Sequence, residues 1–213
     1  GTFGSANTTG RTGQGVFLPP TAGSAYLRQS FTAHATFIVG WASKPSSIAV
    51  AAKLMEFLDA STSQIYVKQN ADGTLSVVRG DGTVLGTSTA LQTLSTTLFS
   101  YIEFKATINN STGSYELKVN GTVWLTATSV DTQNSGNATA DTISLAWDAA
   151  SGYQIVDDYY ICNGAGSANN NFLGAVKIEC IHPSGAGNST VWTRGGTDSG
   201  ANYTQVNEDQ GSD

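Results

Sequence analysis

The sequence has few charged residues, and its charge balance is acidic. Charged residues account for 12% of the 213 residues, and the formal net charge is −6, with a pI of about 4.7. Nucleic acids and anionic membranes are bound by surfaces with clustered Lys and Arg, so this composition argues against both as partners. The sequence also has no apolar run that approaches the roughly 18–20 residues of a membrane-spanning helix.

Cysteine is equally scarce, and the two cysteines are Cys162 and Cys180. If the strands that carry them pair across a loop at 163–171, the two residues lie about six positions out of register, or roughly 20 Å apart. A disulfide needs Cα atoms within about 7 Å of each other. We therefore expect two free thiols, and the cysteines give no sign of an oxidising compartment.

Helical periodicity is nearly absent, whereas short alternating runs bounded by turn residues recur along the chain. Hairpin turns are predicted at 70–73 and at Asn120-Gly121, the best two-residue turn for L-residues. Only 46–58 fits a helical face as well as a strand, and we favour a loop to about Ala52 followed by a strand. About a dozen strands in a chain of this length predict a single all-β domain, built as a two-sheet antiparallel sandwich. The other predicted strands cover 16–18, 26–31, 35–42, 65–69, 74–79, 84–85, 99–109, 115–119, 122–127, 142–147, 155–162 and 173–181.

The run at 155–162 is apolar and aromatic except for two adjacent acids. Strict alternation places Asp157 on one face with Tyr159 and Ile161, and Asp158 on the other face. Burying an unpaired carboxylate costs several kcal/mol, so backbone amides, a cation or a metal should hold at least one of them. We expect Asp157 to be the buried acid and the less replaceable of the two.

Three segments resemble strands of laminin-G-like, concanavalin A-like jelly rolls. They are 100–107 (SYIEFKAT), 115–122 (YELKVNGT) and 155–161 (IVDDYYI), which resemble the W-Y-x-V-x-V-x strand, the x-V-Y-V-N-G hairpin and the I-D-D-V-x-V-Y strand of that fold. Further segments resemble a group of laminin-G-like proteins that tailed bacteriophages encode as virion structural proteins. These segments are 37–42 (FIVGWA), 70–77 (NADGTLSV) and 169–178 (NNNFLGAVKI).

The resemblance implies one concanavalin A-like jelly-roll domain over 1–213, with a core at about 16–181. It also implies a non-enzymatic protein on the virion surface, made in the bacterial host cytoplasm and docked to other virion proteins. Capsid decoration, minor capsid component and tail fibre remain open as roles. The main alternative is a lectin-like module that binds carbohydrate on the host, and a glycoside hydrolase is a more distant one.

Assembly is expected to depend on the segments that the sandwich does not use, which are 1–15 and 183–213. The Gly-rich stretch 10–15 is too loose for a phosphate-binding loop and is predicted to be a turn or edge segment. A homotrimer suits the three-fold and six-fold sites of a phage particle, because it multiplies weak contacts by effective concentration. We therefore predict a trimer in which one or both terminal segments act as contact arms.

Catalysis by hydrolysis finds no support in the acidic residues. Retaining glycosidases of this fold need two carboxyl groups about 5–5.5 Å apart. Glu103 lies beside Lys105, and Glu116 beside Lys118, on strand faces predicted to be polar, which is ordinary cross-strand charge pairing. We therefore predict no enzymatic activity.

Two kinds of binding site are nevertheless predicted. Asp157 and Asp158 are candidate ligands for Ca²⁺, the one cofactor considered, although a structural role in holding backbone amides is the favoured alternative. Exposed aromatic and amide side chains at the rim are candidates for contact with a sugar or a partner, with core packing as the alternative for each aromatic residue. The contact candidates are Trp147, Tyr153, Asn163, Asn169, Asn170, Asn171, Trp192 and Tyr203.

Overall fold

The computed structural model describes residues 7–20 and 25–178, and within these residues the chain forms thirteen β-strands and no helix. None of the described segments is therefore a helix long and apolar enough to cross a membrane. The strands are β1 (Asn7–Thr9), β2 (Gln14–Leu18), β3 (Ala25–His34), β4 (Thr36–Pro45), β5 (Ala52–Asp59), β6 (Thr62–Gln69), β7 (Leu75–Arg79), β8 (Val84–Thr87), β9 (Ser100–Thr107), β10 (Gly113–Val119), β11 (Thr122–Val130), β12 (Ala140–Trp147) and β13 (Gln154–Asn163).

The strands form two antiparallel sheets that pack face to face. One sheet has seven strands in the order β1-β2-β13-β4-β9-β10-β11, and the other has six in the order β3-β12-β5-β6-β7-β8. Several neighbours are distant in sequence, such as β13 between β2 and β4, which is typical of a jelly roll. The prediction of an all-β, two-sheet jelly-roll sandwich is confirmed.

Local sequence signals located most of the strands. The hairpin turn at Asn120-Gly121 joins β10 to β11, and the φ angles of these residues are +50° and +79°. Two consecutive positive φ angles define a type I′ turn, whose twist matches that of the flanking strands. The ambiguous stretch 46–58 is a loop followed by β5, which begins at Ala52 as predicted.

The core lies between the sheets and consists of alternate residues from both. Ile102, Phe104, Ala106 and Ile108 point inward and are buried, as the alternation of β9 predicts. Phe104 of the seven-stranded sheet stacks on Phe57 of the six-stranded sheet, with ring centroids 5.6 Å apart. Each large apolar side chain buried in this way contributes roughly 1.5–3 kcal/mol.

A β-bulge interrupts β13 at the two acids. Asp157 lies opposite Ala42 and Tyr160 lies opposite Gly40, so β13 contains one residue more than β4 over this interval. Asp158 takes a left-handed φ of +48°. Because the bulge shifts the alternation by one residue, Asp158 is buried, with 3% of its surface exposed, whereas Asp157 is only partly buried. The prediction that Asp157 is the buried acid is wrong.

The segment 171–178 covers part of the outer face of the seven-stranded sheet. Its side chains Phe172 and Val176 pack on a second apolar cluster. No strand forms in 171–178, so the predicted strand at 173–181 is wrong over its described part, and 179–181 lie outside the described residues. Gly174 has a φ of +79°, and the amide of Val176 donates to the carbonyl of Gly174 at 2.8 Å, which turns the backbone away from an extended path. The buried members of the second cluster are Ile38, Ala42, Tyr101 and Tyr160.

The segment 171–178 also buries a carboxylate that was predicted to be on the surface. Glu103 is only 2% exposed, and it accepts hydrogen bonds from the Tyr160 hydroxyl at 2.6 Å and the Gly174 amide at 2.8 Å. The prediction of a surface pair between Glu103 and Lys105 is therefore wrong. The other predicted pair is present, with Lys118 Nζ 3.3 Å from a carboxylate oxygen of Glu116.

The described strands belong to one compact unit, Gly1–Ile178, and the chain from Glu179 onward is a second unit that lies outside the described residues. A single domain over 1–213 and a contact arm at 183–213 therefore stay predictions. Residues 7–15 are part of the sheet, as β1, a turn and the start of β2, so the described part of the N-terminal segment is a sheet edge and not a free arm. Cys162 carries a free thiol, and Cys180 lies outside the described residues.

Candidate functional site

A groove of about 250 Å³ crosses the outer face of the six-stranded sheet. Three adjacent strands form it, because β12 pairs with β3 on one side and with β5 on the other. Its volume is below the roughly 300–1,000 Å³ of pockets that enclose a drug-sized ligand, so it suits one unit of a longer ligand. The lining residues are Tyr26 and Arg28 of β3, Lys53 and Glu56 of β5, Ser144 and Ala146 of β12, and Asp148, which follows β12.

A bulge in β5 brings the two charged residues of that strand to the groove. Lys53 and Glu56 are three positions apart, so strict alternation would send them to opposite faces of the sheet. The register shifts between Lys53 and Met55, and the extra residue, Leu54, is fully buried in the core. Both charged side chains consequently line the outer face.

The carboxylate of Glu56 is buried but charge-balanced. Its Oε2 lies 2.6 Å from the Lys53 ammonium, and its Oε1 lies 3.9 Å from the Arg28 guanidinium. Only 10% of the Glu56 side chain is exposed, so Lys53, at the shorter distance, is the partner that offsets most of the cost of burial. The backbone amide of Lys53 donates to Asp148 at 2.6 Å, which anchors the end of the groove.

Two tyrosine rings support the cations of the groove. The Arg28 guanidinium lies 4.5 Å from the centroid of the Tyr26 ring, and Lys53 Nζ lies 4.8 Å from the centroid of the Tyr66 ring. Burial raises the pKa of Tyr66, and the nearby carboxylates Asp148 and Glu56 raise it further against the lowering effect of Lys53. Tyr66 therefore remains a neutral hydroxyl at physiological pH.

Two polar groups in the groove lack hydrogen-bond partners within the described part of the chain. Ser144 is fully buried, and its Oγ has no partner. The guanidinium of Arg28, on the neighbouring strand, has the long ion pair with Glu56 but makes no hydrogen bond to any described residue. A buried polar group left unsatisfied costs about 1–3 kcal/mol, and this cost applies to Ser144, whereas the Arg28 side chain is 37% exposed and its guanidinium can bind water.

Of the aromatic residues that the sequence suggested for the rim, Trp147 belongs to the core. Trp147 is fully buried, and its indole N–H donates to the carbonyl of Ser151 at 3.0 Å, which makes it a core residue. Tyr153 is 36% exposed and packs on Phe17 with ring centroids 4.8 Å apart. Trp192 and Tyr203 lie outside the described residues.

The asparagine candidates do not join Tyr153 in one site. Tyr153 precedes β13, whereas Asn163 ends it, so the strand separates them by roughly 30 Å at ~3.3 Å per residue. Asn169, Asn170 and Asn171 follow in the exposed loop after β13. The structure therefore places the rim candidates at opposite ends of β13.

The donors around Asp157 and Asp158 fit a structural role and do not fit a calcium ion. Asp157 accepts hydrogen bonds from the backbone amides of Thr12 and Asp158 at 2.9 and 2.8 Å. Asp158 accepts from the Thr12 hydroxyl, the Ile178 amide and the Arg11 guanidinium, each at 2.8 Å. All four carboxylate oxygens thus face protein donors, one of them cationic, and Ca²⁺ would need these oxygens as ligands. Within 7–20 and 25–178, no group of three or more His, Cys, Asp or Glu is placed to hold a metal.

Sequence reasoning missed the groove, although one signal was available. In a chain with only 12% charged residues, two opposite charges three positions apart at Lys53 and Glu56 are unusual inside a strand of core residues. Arg28 precedes Lys53 by 25 positions and Ser144 follows Glu56 by 88, and only the strand order shows that these residues are neighbours.

Comparison with known proteins supports the fold assignment. No protein-family model and no curated protein sequence matches the chain. Among solved structures, the alginate lyase Aly36B superposes with a TM-score of 0.52 at 11% identity, over 70% of this chain and 79% of the lyase. A double mutant of the same lyase in complex with alginate trisaccharide gives 0.54 at 10% identity, over 70% and 81%. A sialidase gives 0.52 at 10% identity, over 70% of this chain, which spans only 15% of that protein.

At these identities the likeness establishes the class of fold and nothing finer. The chain is a concanavalin A-like jelly-roll sandwich, the fold that these lyases share. The sequence-based prediction that the protein is not an enzyme is corrected by the same finding, since solved structures of this fold include alginate lyases. A retaining carboxylate pair serves only one hydrolytic mechanism, and the same fold can carry other chemistry.

Proposed function

We propose that the groove on the outer face of the six-stranded sheet binds carbohydrate. The observation that carries this proposal is the fully buried hydroxyl of Ser144, which has no hydrogen-bond partner among the described residues. A sugar hydroxyl is both a donor and an acceptor, and it can satisfy such a group where an apolar ligand cannot. The groove adds Arg28, opposite Ser144 on the neighbouring strand, as a donor and Asp148, which follows β12, as an acceptor.

The shape and lining of the groove are consistent with a sugar chain. Because the groove is open to solvent, it can hold one sugar unit of a polymer while the adjacent sugar units lie along the surface of the sheet. Tyr26 is 37% exposed at the side of the groove and offers a ring on which the C–H face of a sugar can stack. A lyase with the same fold has been solved with an alginate trisaccharide bound, which supports oligosaccharide binding on such a scaffold.

A pair of serine variants tests the proposal on a glycan array and by titration calorimetry with the glycans retained. Ser144→Ala removes a hydroxyl that lacks a partner in the free protein, so we expect its melting temperature to be unchanged or higher. Its affinity for the glycan should fall about 2- to 12-fold, which corresponds to the loss of one hydrogen bond. Ser63→Ala is the matched control, because the Oγ of Ser63 is also buried without a partner but lies on β6, outside the groove.

A turnover assay on the same glycans decides whether binding leads to catalysis. Release of shortened or unsaturated products that depends on Lys53 or Glu56 would make the groove a catalytic site. Binding without any product would make it a lectin-like site. The proposal fails if no glycan binds, or if Ser144→Ala and Ser63→Ala bind every glycan as the unmodified chain does.

We also propose a setting for this site, on the resemblance of segments 37–42, 70–77 and 169–178 to phage virion proteins. The module would be displayed on the surface of a tailed-phage particle as a homotrimer that contacts other virion proteins, with a host-surface glycan as its ligand. Light scattering of the purified chain tests the trimer, and a monomer at micromolar concentration would contradict it. Antibody labelling of intact particles tests the location.

A further inference from the structure

We infer that the glycan bound in the groove carries a carboxylate, and that Arg28 and Ser144 together receive it. This inference rests on the proposed function, and it narrows the ligand to acidic sugars such as uronic or sialic acids.

Arg28 is the cation of the groove with the longer ion pair. Glu56 is paired at 2.6 Å with Lys53 and lies 3.9 Å from Arg28, so the shorter contact leaves the guanidinium without a close anionic partner. The Tyr26 ring lies against the guanidinium and restricts its orientation, which lowers the entropy lost on binding. A guanidinium presents five N–H donors in a planar fork that matches the two oxygens of a carboxylate.

The second donor is adjacent to the first. Ser144 of β12 lies directly opposite Arg28 of β3 in the strand register, and opposite Glu56 of β5 on its other side. Side chains of directly opposite residues start about 4.5–5.5 Å apart and point to the same face. One carboxylate can therefore accept from the Arg28 guanidinium and from the Ser144 hydroxyl, which satisfies both groups in a single contact.

The local charge also favours an anion, although the whole chain is acidic. Lys68 of β6 lies directly opposite Lys53, so it shares the outer face. Near the groove the cations are Arg28, Lys53 and Lys68 and the carboxylates are Glu56 and Asp148, while Asp81, whose charge also acts on Tyr66, is paired with Arg79. Charges beyond about 8–10 Å are largely screened at physiological salt, so these local groups outweigh the distant excess of acids.

The first measurement compares matched glycans on an array that holds acidic oligosaccharides and their carboxyl-reduced counterparts, including alginate tetrasaccharide in both forms. We expect the acidic form of the bound glycan to bind about 10-fold or more tightly than its reduced form, since charge-assisted bidentate contacts are among the stronger hydrogen bonds. The preference should weaken with added salt.

The second measurement locates the preference with three variants. Arg28→Gln should lose about 10- to 100-fold in affinity for the acidic form and little for the reduced form, so that the two forms bind alike. Arg28→Lys keeps the charge but lacks the planar, bidentate donor group of the guanidinium. It should retain only part of the preference for the acidic form. Lys105→Gln is the control for the lost positive charge, because Lys105 lies on β9 in the other sheet, and it should leave both affinities unchanged.

The outcomes separate this inference from the function on which it rests. Equal binding of acidic and reduced forms, or an equal loss of both in Arg28→Gln, would overturn the inference while Ser144-dependent glycan binding still stood. Binding of neutral glycans alone would overturn it in the same way. If no glycan binds the unmodified chain, the proposed function fails, and the inference fails with it.

Discussion

The hydroxyl of Tyr160 donates to the carboxylate of Glu103 at 2.6 Å across an intervening strand. Tyr160 is on β13 and Glu103 is on β9, and β4 lies between them with Gly40 opposite both residues. The tyrosine ring crosses over Gly40, where a side chain would occupy its place. The missing side chain at Gly40 is thus what allows two residues on non-adjacent strands to meet.

Gly40→Ala should destabilise the fold strongly. A Cβ atom at this position would overlap the ring of Tyr160, and overpacking of this kind typically costs 1–3 kcal/mol. Gly136→Ala is the matched control, because a Cβ there meets no atom within 4 Å. Chemical denaturation of the two variants measures the difference, and equal midpoints would show that the ring moves aside without cost.

Glu103→Gln should cost more stability than Glu116→Gln. Glu103 is buried and accepts hydrogen bonds from the Tyr160 hydroxyl and the Gly174 amide, and an amide weakens these charge-assisted contacts by about 1–2 kcal/mol. Glu116 forms a partly exposed pair with Lys118, so its loss should stay within about 0.5 kcal/mol. Urea unfolding midpoints of the two variants make the comparison, and the reverse order would place Glu103 in solvent.

Asp158→Asn should be more destabilising than Asp157→Asn. Asn tolerates the left-handed conformation of Asp158, so the substitution tests the charge and its contacts rather than the backbone. Asp158→Asn removes the charge-assisted contacts with Arg11, the Thr12 hydroxyl and the Ile178 amide, which should lower the free energy of unfolding by about 2–3 kcal/mol. Asp157→Asn keeps an acceptor oxygen for one of the two amide partners of Asp157 and should lose about 1 kcal/mol. Thermal melts of both variants at neutral pH test the order, which the bulge reverses from the sequence-based expectation.

Calcium should leave the stability of the protein unchanged. The carboxylate oxygens of Asp157 and Asp158 already accept from protein donors, including the cationic Arg11. An ion bound only by the folded state would raise the melting temperature as its concentration increased. Differential scanning calorimetry with millimolar calcium and with excess chelator measures this directly, and a calcium-dependent rise would contradict the structural role.

Stability should decline in alkaline solution. Burial raises the pKa of Tyr101, Tyr159 and Tyr160 in the folded state, and Glu103 adds to the shift of Tyr101 and Tyr160. Above the ordinary tyrosine pKa of about 10, the unfolded chain releases protons that the folded chain retains, so the free energy of unfolding falls as pH rises. Tyr159→Phe removes one of these hydroxyls and should make the decline less steep. Urea midpoints from about pH 8 to about pH 11 test the slope, and a flat profile would contradict the burial of these hydroxyls.

Local patterns in the sequence were sufficient to predict most of the strands and the sandwich. The alternation in β9, the turn at Asn120-Gly121 and the start of β5 at Ala52 each depend on residues within a few positions of one another. Side-chain alternation and turn geometry are short-range properties, so they can be read without knowledge of the strand order.

Tertiary structure alone decided which polar residues face each other and which are buried. Two bulges, at Asp158 and Leu54, shift the alternation by one residue. Strict alternation along the sequence therefore assigns the residues beyond each bulge to the wrong face of the sheet. Glu103 is buried because the segment 171–178, some seventy residues later, folds over it. Arg28, Glu56 and Ser144 form one groove because β12 pairs between β3 and β5. Such pairings between distant strands depend on the packing of the whole sandwich, which no local pattern contains.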